Sequence, residues 1–390
     1  MKKILLTLAV LSIVGVLTIY FNLTKQRKNQ VKQLILHNVG ILNSEWEIDT
    51  NKNDKTFTTH LKSPSLYIDD IYTSMEGPYT YKRFRLNDSE DKLYWVKGFK
   101  ADANTKFKKS TSNDFICHVN FYHSSQEHFS RLGFNDRIGT QRESQMILLT
   151  TGGLNVEFPK GFAYPIYSNE KLLIGSMALN LNKEDENFNI DYDFVIDYEK
   201  EQSNLKPLYM RYVVVALPYE DDNQPEHKMD NSSIIGFKRP SFVECAGPSS
   251  NNFFRGTDDK GQKTTSFWKI PEGEYIYKSD ITYVLNLEKE ETIHYINIHA
   301  HPTAESLSIF DETTNEYLYQ AEIINSKEKK AIVKLSTYSS EEGLIMYPDH
   351  KYQIVLKGNN NTGHAVDMMA NMFLYFYDSE LDNKLKSENN

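Results

Sequence analysis

Short stretches in which apolar and polar residues alternate, or in which apolar residues run unbroken, recur along most of this chain. "LYWVKGF" (93–99), "DFICHVNFYH" (114–123), "SQMILLTT" (144–151), "KLLIGSMALNLN" (171–182) and "LYMRYVVVAL" (208–217) form a first set. "YIYKSDITYVLNL" (275–287), "TIHYINIHAH" (292–301), "SLSIFD" (306–311), "KAIVKLST" (330–337), "KYQIVLKG" (351–358) and "NMFLYFYD" (371–378) form a second. Successive side chains of a strand point to opposite faces, so period two marks a half-buried strand and a short apolar run a fully buried one. Helical spacing of useful length is almost missing beyond residue 40, and loops rich in Asn, Asp, Gly and Ser separate the segments. The pattern predicts an all-β protein of two tandem antiparallel β-sandwich domains, jelly-roll-like in type.

The chain has 390 residues, which suits about two domains. The long polar stretch 219–262, with its Pro and Gly residues, reads as the linker or insertion between an N-terminal domain (41–218) and a C-terminal one (263–378). Residues 379–390 are charged and read as a disordered tail; residues 24–40, polar with weak helical spacing, read as a stalk. Before them, Met1-Lys2-Lys3 precedes an apolar run from Ile4 to Tyr20, extended to Leu23. That is close to the roughly 20 residues a bilayer-crossing helix needs, and no small-residue cleavage pattern follows it. Residues 1–23 are therefore expected to be an uncleaved membrane anchor, with the β-rich part on the extracytoplasmic side. The basic residues Lys25, Arg27, Lys28 and Lys32 oppose the inside start that Lys2 and Lys3 favour.

Charge and cysteine content exclude some functions. A net charge of −9 provides no basic stripe for phosphates, so no nucleic-acid partner is expected. Two cysteines, Cys117 and Cys245, cannot make a disulfide framework or a thiolate-rich metal cluster, although one bridge between them would be allowed.

The candidate chemistry lies in "HYINIHAHPTAES" (294–306). His299 and His301 share one strand face with Tyr295 and Asn297, so both imidazoles can converge on one ion. Two hydrogen-bonded surface histidines would show the same spacing. In "HAVDMMANMFLYFYD" (364–378), alternation sorts Met368, Ala370, Met372, Leu374 and Phe376 onto a core face. Met369 falls on the opposite face, with Asp367 and Asn371. Two imidazoles and a thioether suit copper, Cu(I) above all, and suit zinc poorly. His364, His350, Glu305 or Asp349 as third ligand would tilt the site toward zinc or another ion. Glu305 could instead orient a ligand imidazole through a hydrogen bond.

These segments resemble the copper-dependent monooxygenases that comprise peptidylglycine α-hydroxylating and dopamine β-monooxygenase. "IPEGEYIYKSDITYVL", "HYINIHAH" and "DMMANMFLYFYD" follow one another in that family's order of lead-in strand, His-x-His pair and methionine strand. The resemblance implies that His299, His301 and Met369 hold the copper that binds dioxygen, with an external reductant such as ascorbate or an electron-donor partner. "FICHVNFYH" and "FPKGFAYPI…KLLIGSMALNLN" resemble its electron-transfer copper segments more weakly. Cys117-His118 stands where the family has two histidines, and Ala178 near where it has the third, so that second metal site is degenerate. Asn297 replaces a substrate-gripping arginine and Phe373 a tyrosine, while Asn371 is kept, so peptidylglycine is a poor substrate guess and a small-molecule or peptide substrate stays unspecified. His123 falls on the strand face opposite His118 and is a poor substitute for a missing ligand. Three readings result: a copper monooxygenase, a non-catalytic copper-binding or copper-handling protein, and a metal-free β-sandwich binding module of the cell envelope.

Overall fold

The computed structural model describes residues 2–53, 55–72, 76–105, 113–138, 143–182, 187–200, 204–220 and 255–388. Most of the 219–262 connection, with Cys245, lies outside these residues. Strands dominate, arranged in several sheets, as the alternating pattern predicts.

The longest sheet has eleven strands, nine of them in one continuous path. Its N-terminal part runs through Glu47–Asn53, Thr56–Lys62, Phe188–Glu199, Leu93–Thr105 and Phe162–Tyr167. It continues through Lys206–Val214, Ala370–Tyr377, Glu291–Ala300 and Tyr338–Met346. A four-stranded sheet (Tyr79–Phe84, Leu172–Ala178, Ile116–Ser124, Glu143–Leu149) belongs to the N-terminal half. Phe121 on it meets Phe99 and Phe194 of the long sheet at ring distances of 5.0 and 6.4 Å, so the two sheets enclose a common core. A five-stranded sheet (Gly273–Asp280, Tyr352–Asn360, Ala304–Asp311, Glu316–Asn325, Ile332–Leu335) supplies Leu307, Ile309, Ile354 and Leu356 to a second core.

The two halves share the long sheet. Lys206–Val214 pairs antiparallel with Ala370–Tyr377, from Leu208 opposite Tyr377 to Val214 opposite Asn371. It also touches Phe162–Tyr167 through a short parallel pairing, Lys206 with Phe162 and Pro207 with Ala163. The expected purely antiparallel arrangement is corrected there. Two strands intervene between these segments, which gives the chain enough length to return in the same direction.

Glu291–Ala300 and Ala370–Tyr377 form the joint between the halves. Their register sets Ile298 opposite Met372, His299 opposite Asn371 and Ala300 opposite Ala370. Directly opposed residues of an antiparallel pair lie on the same face. Ile296, Ile298, Met372, Leu374 and Phe376 enter the C-terminal core, as the alternation predicts. Tyr295, Phe373 and Tyr375, on the other face, belong to the N-terminal core. Tyr375 Oη donates to the backbone oxygen of Met146 at 2.6 Å, and Asn297 Nδ2 donates to that of Leu148. This pair of strands is thus buried on both sides, with one half of the protein on each.

Three terminal expectations change. Residues 24–40 contain a helix, Lys25–Asn38, docked beside the strand Leu66–Ile68. Gln33 and Tyr67 exchange hydrogen bonds of 2.8 and 2.9 Å, and His37 Nε2 donates to the backbone oxygen of Ser65 at 2.8 Å. Its polar residues serve docking, so it is no free-standing stalk. The charged tail is the helix Ser379–Glu388. Arg137 pairs with Asp378 and Glu380, Lys384 Nζ donates to the backbone oxygen of Leu132 at 2.7 Å, and Leu381 is 1% exposed. Charges read as solvating a disordered end are partnered instead. Leu381→Ala is expected to cost about 2–5 kcal/mol, the range for a buried leucine, measured by urea unfolding; a disordered tail would give no change.

The membrane anchor is the third correction. Residues Lys2–Phe21 form a helix, but among the described residues no helix is long and apolar enough to cross a membrane. The membrane partner and the extracytoplasmic location, which both rested on that span, lose their support.

Candidate functional site

His299 and His301 stand at the end of the strand Glu291–Ala300, their rings 5.3 Å apart and edge to face. Both are buried. They line a cavity of about 480 Å³ with Cys117, Thr150, His364 and Asp367, drawn from both halves of the chain. His301 Nδ1 donates to the backbone oxygen of Asp367 at 3.1 Å. A carbonyl can only accept, so the proton is on Nδ1 and the Nε2 lone pair is available, as in histidines that bind metals through Nε2.

His299 is bound differently. Neither ring nitrogen has a hydrogen-bond partner among the described residues. Burial, followed by the neighbouring rings of His301 and His118, holds its basicity far below the ordinary histidine range, so the ring is neutral. Asn371, directly opposite it, is fully buried, and its amide nitrogen and oxygen also lack partners among the described residues. A buried polar group without a partner costs about 1–3 kcal/mol. Here two such groups face the same place.

Met369 continues the register. Its backbone oxygen accepts the N–H of His301 at 3.2 Å, which puts it opposite His301 and on the same face. Directly opposed Cβ atoms are about 4.5–5.5 Å apart, within reach of a methionine side chain. The Met369 side chain packs in a small cluster with Cys117, Met177 and Phe267, and the Phe267 ring meets that of His301 edge-on at 5.8 Å.

The Cys117–His118 pair reaches the same seam. In the pairing of Ile116–Ser124 with Leu172–Ala178, Met177 lies opposite His118 and Ala178 opposite Ile116, leaving Cys117 as the extra residue of a β-bulge. Bulges re-aim side chains and collect near functional sites. Here the bulge carries Cys117 to the cavity wall, while His118 is near enough to His299 to depress its basicity. Asn120 Nδ2 donates to His118 Nδ1 at 3.1 Å, with Asn120 Oδ1 held by Gln145 Nε2 at 2.7 Å. The residues expected to form two separate metal sites are therefore neighbours.

The other candidates are dispersed. His350 Nδ1 donates to Asp311 at 2.6 Å, and Asp349 is exposed. Glu305 is exposed and absent from the cavity wall, so the expected carboxylate support for an imidazole is corrected: the Asp367 carbonyl orients His301. Thr303, also on the wall, has φ +84°, which costs a β-branched residue about 1–2 kcal/mol. Its N–H donates to Asn325 Oδ1, its carbonyl accepts from Asn359, and its hydroxyl bonds Tyr275. Strain held in this way is typical of functional sites.

A second constellation escaped the sequence reading. His123, last but one in the strand Ile116–Ser124, and His128, in the helix Ser125–Leu132, lie with ring centroids 4.0 Å apart and planes tilted by 32°. Glu170 lies beside both: His128 Nδ1 is 3.1 Å from Glu170 Oε2, and His123 Nδ1 is 3.9 Å from Oε1. His123 Nδ1 is also 3.3 Å from the backbone oxygen of Ser124, and its Nε2 is 3.0 Å from Tyr164 Oη. All three residues are buried. Burial pushes both histidines down to about 3 and Glu170 up to about 7. Among the described residues, this is the cluster of three His, Cys, Asp or Glu groups compact enough to hold an ion. The His-x4-His spacing was visible in the sequence, but nothing local pointed to Glu170.

No family model matches the chain, and no curated protein matches it. Among solved structures it is similar to PNGase F, a glycosylasparaginase from Flavobacterium meningosepticum, at 10% identity over 85% of this chain and 96% of that one, with a TM-score of 0.31. It is also similar to PNGF-II, at 10% identity over 85% of this chain and 61% of that one, with a TM-score of 0.24. At these TM-scores neither likeness carries an argument, and the resemblance to copper monooxygenases rests on the quoted motifs alone.

Proposed function

We propose that this chain binds one Cu(I) ion at the seam between its halves, through His299, His301 and Met369, with Cys117 on the adjoining wall. The carrying observation is the pair His299 and Asn371: two buried, opposed side chains whose polar atoms have no partner among the described residues. Buried groups of this kind call for an explanation such as an ion. The neutral His299 ring, the Nε2 lone pair of His301 and a thioether on the same face make a soft donor set. When bound, copper supplies one-electron redox chemistry.

The test is anaerobic titration of the whole protein against a Cu(I) chelator of known affinity, with Zn²⁺ titrated in parallel. Met369→Leu is expected to weaken Cu(I) binding about tenfold or more and to leave Zn²⁺ binding nearly unchanged, since the thioether is a soft ligand. Equal loss of both metals would contradict the assignment. If the wild-type protein takes up no Cu(I), the metal-free binding module is the remaining reading.

One observation favours a catalytic version. The cavity of about 480 Å³ beside the histidines has the size of a small-molecule site. Ascorbate-dependent oxygen consumption that is lost in His299→Ala would support the monooxygenase reading. Cu(I) binding without oxygen consumption would support copper handling. Because Cys117 and His118 adjoin the same seam, they offer no distant electron store, so a catalytic site here would depend on the external reductant or a donor partner.

A further inference from the structure

We propose that His123, His128 and Glu170 form a second metal site, separate from the copper seam and suited to a divalent ion of the zinc class. Two imidazoles and a carboxylate are borderline-to-hard donors with no sulfur among them, a set that zinc accepts and Cu(I) does not favour. The ligand atoms all lie within 4.8 Å of one another. Tetrahedral coordination at about 2.0–2.1 Å requires ligand atoms about 3.3 Å apart. The Glu170 oxygens stand 3.1 and 3.9 Å from the two Nδ1 atoms, on either side of that value.

A second observation is independent of the spacing. Glu170 is 0% exposed, yet its Oε1, the oxygen turned toward His123, has no hydrogen-bond partner among the described residues. A buried carboxylate oxygen between two imidazoles is costly unless a proton or a cation lies against it. Supporting contacts are in place. Tyr164 Oη can accept from His123 Nε2–H, which leaves the Nδ1 lone pair for the ion, and Tyr167 N–H donates to Glu170 Oε2. Such outer contacts fix ring orientation in metal sites. Without metal, the alternative tautomer sends Nδ1–H to the Ser124 carbonyl, so an ion would displace that proton.

Local structure explains how the sequence builds this cluster. Ser124 caps the helix Ser125–Leu132 by accepting from Glu127 N–H, so the chain turns immediately after His123 and brings His128 back over it. His123 and Tyr164 also line a second cavity, of about 550 Å³, which provides an entry path. Of the three ligands His123 borders that cavity, and three protein ligands leave a fourth position for water or an anionic ligand, the pattern of zinc sites that keep one position open. The charges in that cavity are largely paired, Arg137 with Asp378 and Arg211 with Glu291, so they select no substrate charge.

The probe is Co²⁺ added to the full, metal-stripped protein, followed by Zn²⁺ competition. The expected result is one equivalent of Co²⁺ giving the intense visible absorption of four- or five-coordinate cobalt, displaced by Zn²⁺. Glu170→Gln, which keeps the shape, and His128→Ala should each weaken binding by about tenfold or more, the scale on which even supporting contacts matter. Met369→Leu should leave the spectrum unchanged, so failure here and failure of the copper assignment are distinguishable. An octahedral-type, weakly absorbing spectrum in the wild-type protein, or full binding in a folded Glu170→Gln variant, would overturn the proposal.

Discussion

His299→Leu is expected to stabilise the metal-free protein and at the same time to abolish Cu(I) binding. The His299 ring is buried with both nitrogens unpartnered among the described residues, so the native residue carries a desolvation cost that leucine does not. Removing an unsatisfied buried group recovers about 1–3 kcal/mol, and leucine is near enough in size to limit repacking losses. Urea unfolding of the stripped proteins should show the gain as a higher midpoint with an unchanged slope. Adding Cu(I) at about 1,000 times its dissociation constant should then stabilise the wild-type protein by about 4 kcal/mol and leave the variant unmoved. A variant that is less stable and still responds to Cu(I) would remove His299 from the ligand set.

Phe373→Ala carries the other large effect. Phe373 is on the C-terminal strand Ala370–Tyr377 but is fully buried in the N-terminal core, with its ring 5.2 Å from that of Tyr212. Truncating such a phenylalanine costs about 3–5 kcal/mol. Because one sheet path runs through both halves, the loss is expected to appear as a single unfolding transition moved to lower denaturant, with fluorescence and far-ultraviolet dichroism coincident. Two separated transitions would show that the halves fold independently and that the seam is a weak contact.

Both experiments bear on one structural point. The His299 face was expected to belong to the C-terminal sandwich. It is instead the surface on which the N-terminal half is seated, with Tyr375 and Asn297 bonded to the backbone of Met146 and Leu148. A site at such a seam draws on both halves, as Cys117 and His299 do in lining one cavity.

What the sequence determined by itself was local. Alternation separated Met368, Ala370, Met372 and Leu374 from Met369 and Asn371, and His299 and His301 from Ile298 and Ala300, because the strand repeat of two is a property of the backbone. Those assignments agree with the observed cores and register. Tertiary structure decided what each face meets. It aimed Cys117 through a bulge, placed Glu170 against histidines more than forty residues earlier, and turned the polar segments at both ends into docked helices. The physical reason is range: side-chain direction follows from neighbouring dihedral angles, whereas sheet order, bulges and ion-pair partners arise from contacts between distant segments, which residue spacing along the chain does not encode.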